Sequence, residues 1–274
     1  MKSAVKPNAG KQEASVASAR SASAALRVLG LVKAVAAQSG ESTLTELSQA
    51  QGLSRSVASK LLKILLDERL VQYDAQRKTY RAGLGMYLLA TSILHKTSLV
   101  QISREIMRDL VERTNESACL NLLDRDKEAF TVAAVEESVE HLQYVIETGK
   151  LHPLHAGASG KAILAFQPDD FVLRVLSREL PRITKGTLTD AVKLKAQLAK
   201  IRQAGYSISQ GERLEGAVGI AAPVFDHSGC AVGSVQLTIP HHRYRPADLP
   251  RFSEAVSAAA DLISAAAQAL HGGQ

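Results

Sequence analysis

Gly157-Ala158-Ser159-Gly160-Lys161 sets small residues and a lysine ahead of an apolar run, an arrangement in which backbone N–H groups at a helix start can face an anion. It is not a phosphate loop. That motif needs a glycine where His155 stands and Ser or Thr where Ala162 stands. A carboxylate cradle and a plain tight turn both remain open from these residues. Ser159 with His155 would make a nucleophile and a base, but there is no Gly-x-Ser-x-Gly elbow and no acidic third partner. His152 and His155 lack two further ligands at metal-binding spacing. Glu212 and Glu215 could form an acid/base pair; the simpler reading makes Glu212 a turn anchor near a pocket mouth. No catalytic residue, metal or cofactor is expected.

A second set of residues suits DNA. Arg55, Ser56, Ser59, Lys60 and Lys63 recur at helical spacing on one face behind Ser54, a good helix N-cap. Arg77, Lys78 and Arg81 follow in and beside a turn. Arginine and lysine read guanine edges or hold phosphates, and serine does either. The charge agrees. Residues 1–90 carry 13 Lys and Arg against 6 Asp and Glu, whereas residues 91–274 carry 20 against 21. A polyanion is drawn to the first third only.

These residues need elements to position them. Leu26, Leu29, Val32 and Val35 mark a helix over about 22–38. Thr43 and Glu46 form a capping box for a short helix that turns Leu44 and Leu47 inward and ends at Gly52. The next helix runs from the Ser54 cap to about Glu68, with Val57, Leu61, Ile64 and Leu65 on its buried face. A short helix, a Gly-Leu-Ser turn and a helix with a polar, basic start make a helix-turn-helix. Leu70–Tyr73 and Thr79–Arg81 read as two strands joined through Asp74–Lys78, a β-wing. Residues 1–20 read as a disordered tail without the apolar core of a secretory signal.

Residues 84–114 read as linker helices with apolar side chains to spare, suited to packing on a second copy. Strands are expected at Cys119–Leu123, Ala129–Val135, Leu142–Ile146, Tyr206–Glu212, Val218–Phe225 and Val232–Ile239. His152–Gly160 reads as a loop, followed by helices from near Lys161, at 168–178, at 190–203 and from Pro246 to about Leu270. This is an antiparallel α+β domain. The 274 residues suffice for two domains. With 46% hydrophobic residues, 4% aromatic and no tryptophan, the cores must be aliphatic. Cys119 and Cys230 form no CxxC pair, and no apolar run spans a membrane, so a cytoplasmic protein is expected.

The chain resembles IclR-family transcriptional regulators. The resemblance rests on Leu44-Thr45-Glu46-Leu47, Gly52-Leu53-Ser54-Arg55-Ser56, Lys60-Leu61-Leu62 and Tyr80-Arg81-Ala82-Gly83 in the first half. In the second it rests on His155 to Ala162, Gly205-Tyr206, Gly211-Glu212, and Gly216 followed by Ile220-Ala221-Ala222-Pro223-Val224. The family implies a winged helix-turn-helix at residues 21–83, linker and dimerisation helices at 84–114, and a GAF-like effector-binding domain at 115–274. It also implies homodimers or homotetramers on double-stranded operator DNA. Ser54, Arg55, Ser56, Ser59, Lys60, Lys63, Arg77, Lys78 and Arg81 become the DNA-binding candidates. Ala158, Ser159, Gly160, Ser209, Gly219, Gln236 and Thr238 become the effector-binding candidates. Val57 and Lys60 stand where the family usually has Thr and Arg. Ser209 and Gly219 replace the acidic residue and the cysteine of relatives with small 2-oxo-acid effectors. Those differences point to a bulkier ligand, such as an aromatic acid.

The expected function is ligand-responsive control of a catabolic operon. Two rivals are an enzyme whose GAF-like domain does chemistry, and a nonspecific DNA-coating protein. The missing nucleophile–base or metal constellation opposes the first. The second domain, with its glycine-lined candidate pocket, opposes the second.

Overall fold

The computed structural model describes residues 24–38, 40–96, 98–140 and 144–271. The expected tail at 1–20 lies outside them. Two compact units divide between Ile93 and Leu94.

In the first unit α1 (24–36) is followed by β1 (Ser42–Thr43), α2 (Leu44–Ala50) and α3 (Arg55–Asp67). Then come β2 (Val71–Asp74), β3 (Thr79–Ala82) and α4 (Leu84–Lys96). The capping box is formed: the Glu46 N–H donates to the Thr43 hydroxyl at 3.3 Å, and the Thr43 N–H donates to the Glu46 carboxylate at 2.8 Å. The three strands pair antiparallel in the order β1-β3-β2. β1 is two residues long and left no pattern in the sequence.

Two expected helix faces are rotated. On α1, Leu31 and Val35 are buried, whereas Leu26 and Leu29 are exposed. On α3 the buried stripe is Ala58, Leu62 and Leu65, with Val57 and Leu61 half-buried and Ile64 half-exposed. That i, i+4, i+7 row is the narrow face that meets Leu47, Leu31 and Val71 in the core. Ile64 sits beside it, outside the contact.

The second unit holds α5 (Ser98–Thr114), β4 (Ser117–Asp124), β5 (Ala129–Glu136), β6 (Leu151–Pro153), α6 (Gly157–Ala165), α7 (Asp169–Leu176) and α8 (Ala191–Ala204). It continues with β7 (Ser207–Gln210), β8 (Ala217–Phe225), β9 (Ala231–Pro240), a 3-10 turn at Pro246–Asp248 and α9 (Leu249–His271). The six strands form one antiparallel sheet in the order β6-β5-β4-β9-β8-β7. α5 belongs to this unit and buries Val100, Met107, Leu110 and Val111 in its core, so it is no free-standing linker.

The expected strand at Leu142–Ile146 is not formed over 144–146, and its first residues lie outside those described. The third strand is instead β6, whose His152 and Pro153 fall in a stretch read as loop. Its pairing of Ala129 with Pro153 and Phe130 with His152 is a tertiary choice. α6 begins at Gly157 rather than near Lys161.

The sheet's two faces differ. Ala118, Leu120, Ile220, Ala222, Val235, Leu237 and Ile239 point to α5 and α9 and form the main apolar core. Strand alternation turns Cys119, Asn121, Gly219, Ala221, Gln236 and Thr238 to the opposite face, where α6 packs. No helix among the described residues is long and apolar enough to cross a membrane.

Candidate functional sites

The candidate DNA-facing surface lies in the first unit. Ser54, Arg55, Ser56, Ser59, Lys60, Lys63, Arg77, Lys78 and Arg81 are all exposed. Ser54 caps α3 by accepting from the Val57 N–H at 3.4 Å. Arg55 donates to the Thr45 hydroxyl of α2 at 2.6 Å, which holds its guanidinium at the start of α3. A cation in the first turn of a helix opposes the helix dipole, and α3 has no acid there. Among the described residues, neither Lys60 nor Lys63 has an acidic partner. The wing turn is set by Asp74, whose carboxylate accepts from the N–H groups of Gln76 and Arg77 at 2.8 and 3.0 Å. Lys78 follows at φ 55°. Arg77 and Arg81 lie 3.5 and 3.9 Å from Glu41, exposed pairs of little energetic weight that a phosphate can displace.

The second unit encloses a cavity of about 290 Å³. Ala158, Ser209, Gly219, Gln236 and Thr238, five of the seven effector candidates, line it. Ser209 and Gly219 are paired across β7 and β8, and Gly219 and Thr238 across β8 and β9. Three strands thus present one row of side chains to the same space.

Ser159 and Gly160 do not line the cavity. Ser159 is buried behind it: its hydroxyl and N–H both donate to the Gln236 side-chain oxygen, at 2.6 and 3.2 Å, and Asn121 donates to its hydroxyl at 2.9 Å. Gly160 serves packing, because a Cβ there would lie 2.6 Å from the Leu154 carbonyl oxygen. At Gly219 a Cβ would come within 3.2 Å of the Ala158 Cβ and 3.4 Å of the Gln236 side chain. The glycine thus lets α6 approach the sheet as well as bordering the cavity.

The first N–H of α6 is already engaged. The Gly157 N–H donates to Glu212 at 3.1 Å, and the fully buried Lys161 ammonium lies 2.5 Å from the same carboxylate. Burial pulls Lys161 below the usual lysine range, and Glu212 opposes that shift. Glu212 is therefore more than a turn anchor: its carboxylate takes the first N–H of α6, next to the donors that could face a ligand. Ser159 and His155 form no catalytic pair, since His155 Nε2 is engaged by the Pro181 carbonyl at 3.0 Å. His152 faces the cavity with its ring 5.3 Å from that of Phe130. Burial, and then the nearby Arg213 charge, hold its pKa down to about 4.

Arg213 is the functional candidate that sequence reasoning missed. It lies in the β7–β8 loop, lines the cavity, and sets its guanidinium over the Phe130 ring, 5.3 Å from the centroid. Its neighbours Gly211, Glu212 and Gly216 carried a recognisable pattern; a lone arginine among them carried no spacing signal. Val145, Ile146 and Leu214 supply apolar lining.

Comparison with known proteins agrees with this two-part arrangement. Residues 24–75 match the IclR helix-turn-helix domain, and residues 91–265 match the C-terminal domain of bacterial transcriptional regulators of the IclR type. The chain is similar to the HTH-type transcriptional regulator BhcR of Paracoccus denitrificans, 32% identical over 87% of this chain and 85% of that protein. It is similar to the transcriptional repressor IclR of Escherichia coli, 30% identical over 88% of each. Its fold is similar to that of an IclR homologue from Microbacterium hydrocarbonoxydans complexed with 4-hydroxybenzoate, with a TM-score of 0.79, 22% identity, and 88% and 98% of the two chains covered. With both halves matched in order, the chain belongs to the IclR family: it is a DNA-binding transcriptional regulator and not an enzyme.

Proposed function

We propose that this regulator senses a small organic acid, aromatic acids included, in the second-unit cavity and adjusts its hold on operator DNA accordingly. The observation that carries this reading is the cavity itself. It has about 290 Å³ of space, apolar walls at Val145, Ile146 and Leu214, and convergent polar groups at Ser209, Gln236 and Thr238, which is the make-up of a ligand pocket. The fold neighbour that holds 4-hydroxybenzoate supports an acid of that size. The exposed face of α3 and the wing are the DNA-reading surface, with Arg55 and Lys60 as base or phosphate contacts. The regulator acts in the cytoplasm as a homodimer or a pair of dimers on a pseudo-palindromic site. Exposed Leu84, Tyr87, Leu88 and Leu89 on α4 support that assembly. The target is an operon for breakdown of the sensed compound.

The test is a gel-shift titration of DNA flanking the chain's own gene, with and without acids that raise the protein's melting temperature. An acid that shifts operator affinity in wild type, and loses that effect in Gly219→Leu and Thr238→Val, supports the proposal. Acids that stabilise all three proteins equally, or leave DNA affinity unchanged, overturn it.

A further inference from the structure

Of the charged side chains around the cavity, three are answered locally. Glu212 is met by Lys161, Glu147 lies 3.2 Å from Lys150 at the surface, and His152 is held neutral. Arg213 is different. Burial lowers its pKa, yet among the described residues no carboxylate pairs with it and no acceptor takes its N–H groups. Its contacts are the Phe130 ring and Gly157, where a Cβ would sit 3.4 Å from the Arg213 Cβ and 3.7 Å from Nε. A partly buried guanidinium with unused donors is costly to leave unanswered, and a planar carboxylate fits its fork with two parallel hydrogen bonds.

The part of the cavity wall formed by β9 is fixed in a complementary way. Both Ser159 donors converge on the Gln236 oxygen, so the amide nitrogen must point toward Thr238, to whose hydroxyl it donates at 2.9 Å. Gln236 keeps one N–H for a ligand, and the Thr238 hydroxyl, which also lies within reach of the Cys119 thiol, can turn its O–H to one. This side therefore offers donors. At the nearby start of α6 the Gly157 N–H is already taken by Glu212.

We infer that Arg213 is the charge-recognition residue of the effector site. It binds the effector's carboxylate, and Gln236 and Thr238 donate to a second oxygen of the effector. The inference rests on the proposed cavity function and adds an orientation and a charge requirement to it. The pocket then selects acids over their uncharged isosteres, because an amide leaves the guanidinium unanswered.

The experiment is a calorimetric and melting-temperature comparison of matched acid and primary-amide pairs, 4-hydroxybenzoate with 4-hydroxybenzamide among them, on the full chain. Wild type should bind at least one acid about 10-fold or more tightly than its amide. Arg213→Gln should lose that preference, and Arg213→Lys, which keeps the charge without the fork, should retain part of it. Equal binding of acids and amides by wild type overturns the inference, as does a panel in which no acid binds. Unchanged acid affinity in folded Arg213→Gln and Arg213→Lys overturns it too. If acid binding withstands Gly219→Leu as well, the cavity reading itself has failed; if Gly219→Leu abolishes binding while Arg213→Gln does not, only the role of Arg213 has.

Discussion

The Lys161–Glu212 pair gives the sharpest test of how the sensor unit is held together. Glu212→Gln keeps an oxygen to accept from the Gly157 N–H but removes the charge opposite a fully buried ammonium. The remaining acceptor is the Gln197 side-chain oxygen at 3.4 Å. Stranding a buried charge costs about 3–5 kcal/mol. A unit of this size loses about 2–4 °C of melting temperature per kcal/mol, so the expected drop is roughly 6–20 °C. Lys161→Met should cost less, about 1–3 kcal/mol, because the carboxylate keeps the Gly157 N–H and the positive end of α6. The double variant buries no charge and should lie close to Lys161→Met, giving a coupling of about 3–5 kcal/mol. The pH dependence has a definite sign. Burial already lowers Lys161, with Glu212 the opposing influence, so Glu212→Gln lowers it further. The unfolded chain then holds that proton more tightly than the folded one, and stability rises with pH until lysine deprotonates in both states. The gap between Glu212→Gln and wild type should narrow between pH 7 and about pH 9.5. Thermal melts of the four proteins at both pH values decide the matter. A cost under about 1 kcal/mol, or strict additivity, would mean that the pair is solvated and the reasoning wrong.

Arg55→Ala and Lys60→Ala should each weaken operator binding by about 1–3 kcal/mol and leave acid binding intact; unchanged gel-shift affinity would remove them from the interface. His152, held at about pKa 4 in the folded protein, takes a proton in the unfolded chain from about pH 6.5 downward. Its contribution is therefore a loss of stability as pH falls from about 6.5 to 4, and His155, lowered mainly by burial, adds to the same trend. His152→Asn should flatten that fall by about 1–2 kcal/mol, discounted because the ring is only half-buried, and denaturant melts with an unchanged pH slope would refute it. Leu88→Glu on α4 should shift the protein toward monomer in light scattering, and an unchanged mass at micromolar concentration would exclude this face from the subunit contact.

Much of the architecture was legible because local rules fix it. The Thr43–Glu46 box, the Ser54 cap, the Asp74 turn and the helix-spaced basic residues of α3 depend on neighbours within a few positions, and each forms as its residues dictate. Alternation in 235–239 was equally plain: Val235, Leu237 and Ile239 had to lie on one face and Gln236 and Thr238 on the other. The reach of these rules ended where a choice depended on distant residues. Nothing local distinguished Ile64 from Leu62 as the core residue of α3, and nothing marked His152 as a strand residue before Phe130 paired with it.

The tertiary structure alone decided which face of β9 borders the candidate site. Burying Val235, Leu237 and Ile239 against α5 and α9 leaves Gln236 and Thr238 under α6, where Gly219 and Ala158 permit close approach and a cavity remains. It also reassigned the charges. The sequence left an anion cradle and a plain turn both open at the start of α6; folding brings Glu212 there from 55 residues away, where it takes the Gly157 N–H and meets Lys161. Arg213, one position further along the loop, is left facing the cavity. Local sequence determines backbone conformation and periodicity through short-range sterics and hydrogen bonds. Which buried charges meet depends on long-range packing, where the cost of an unanswered charge exceeds any local preference.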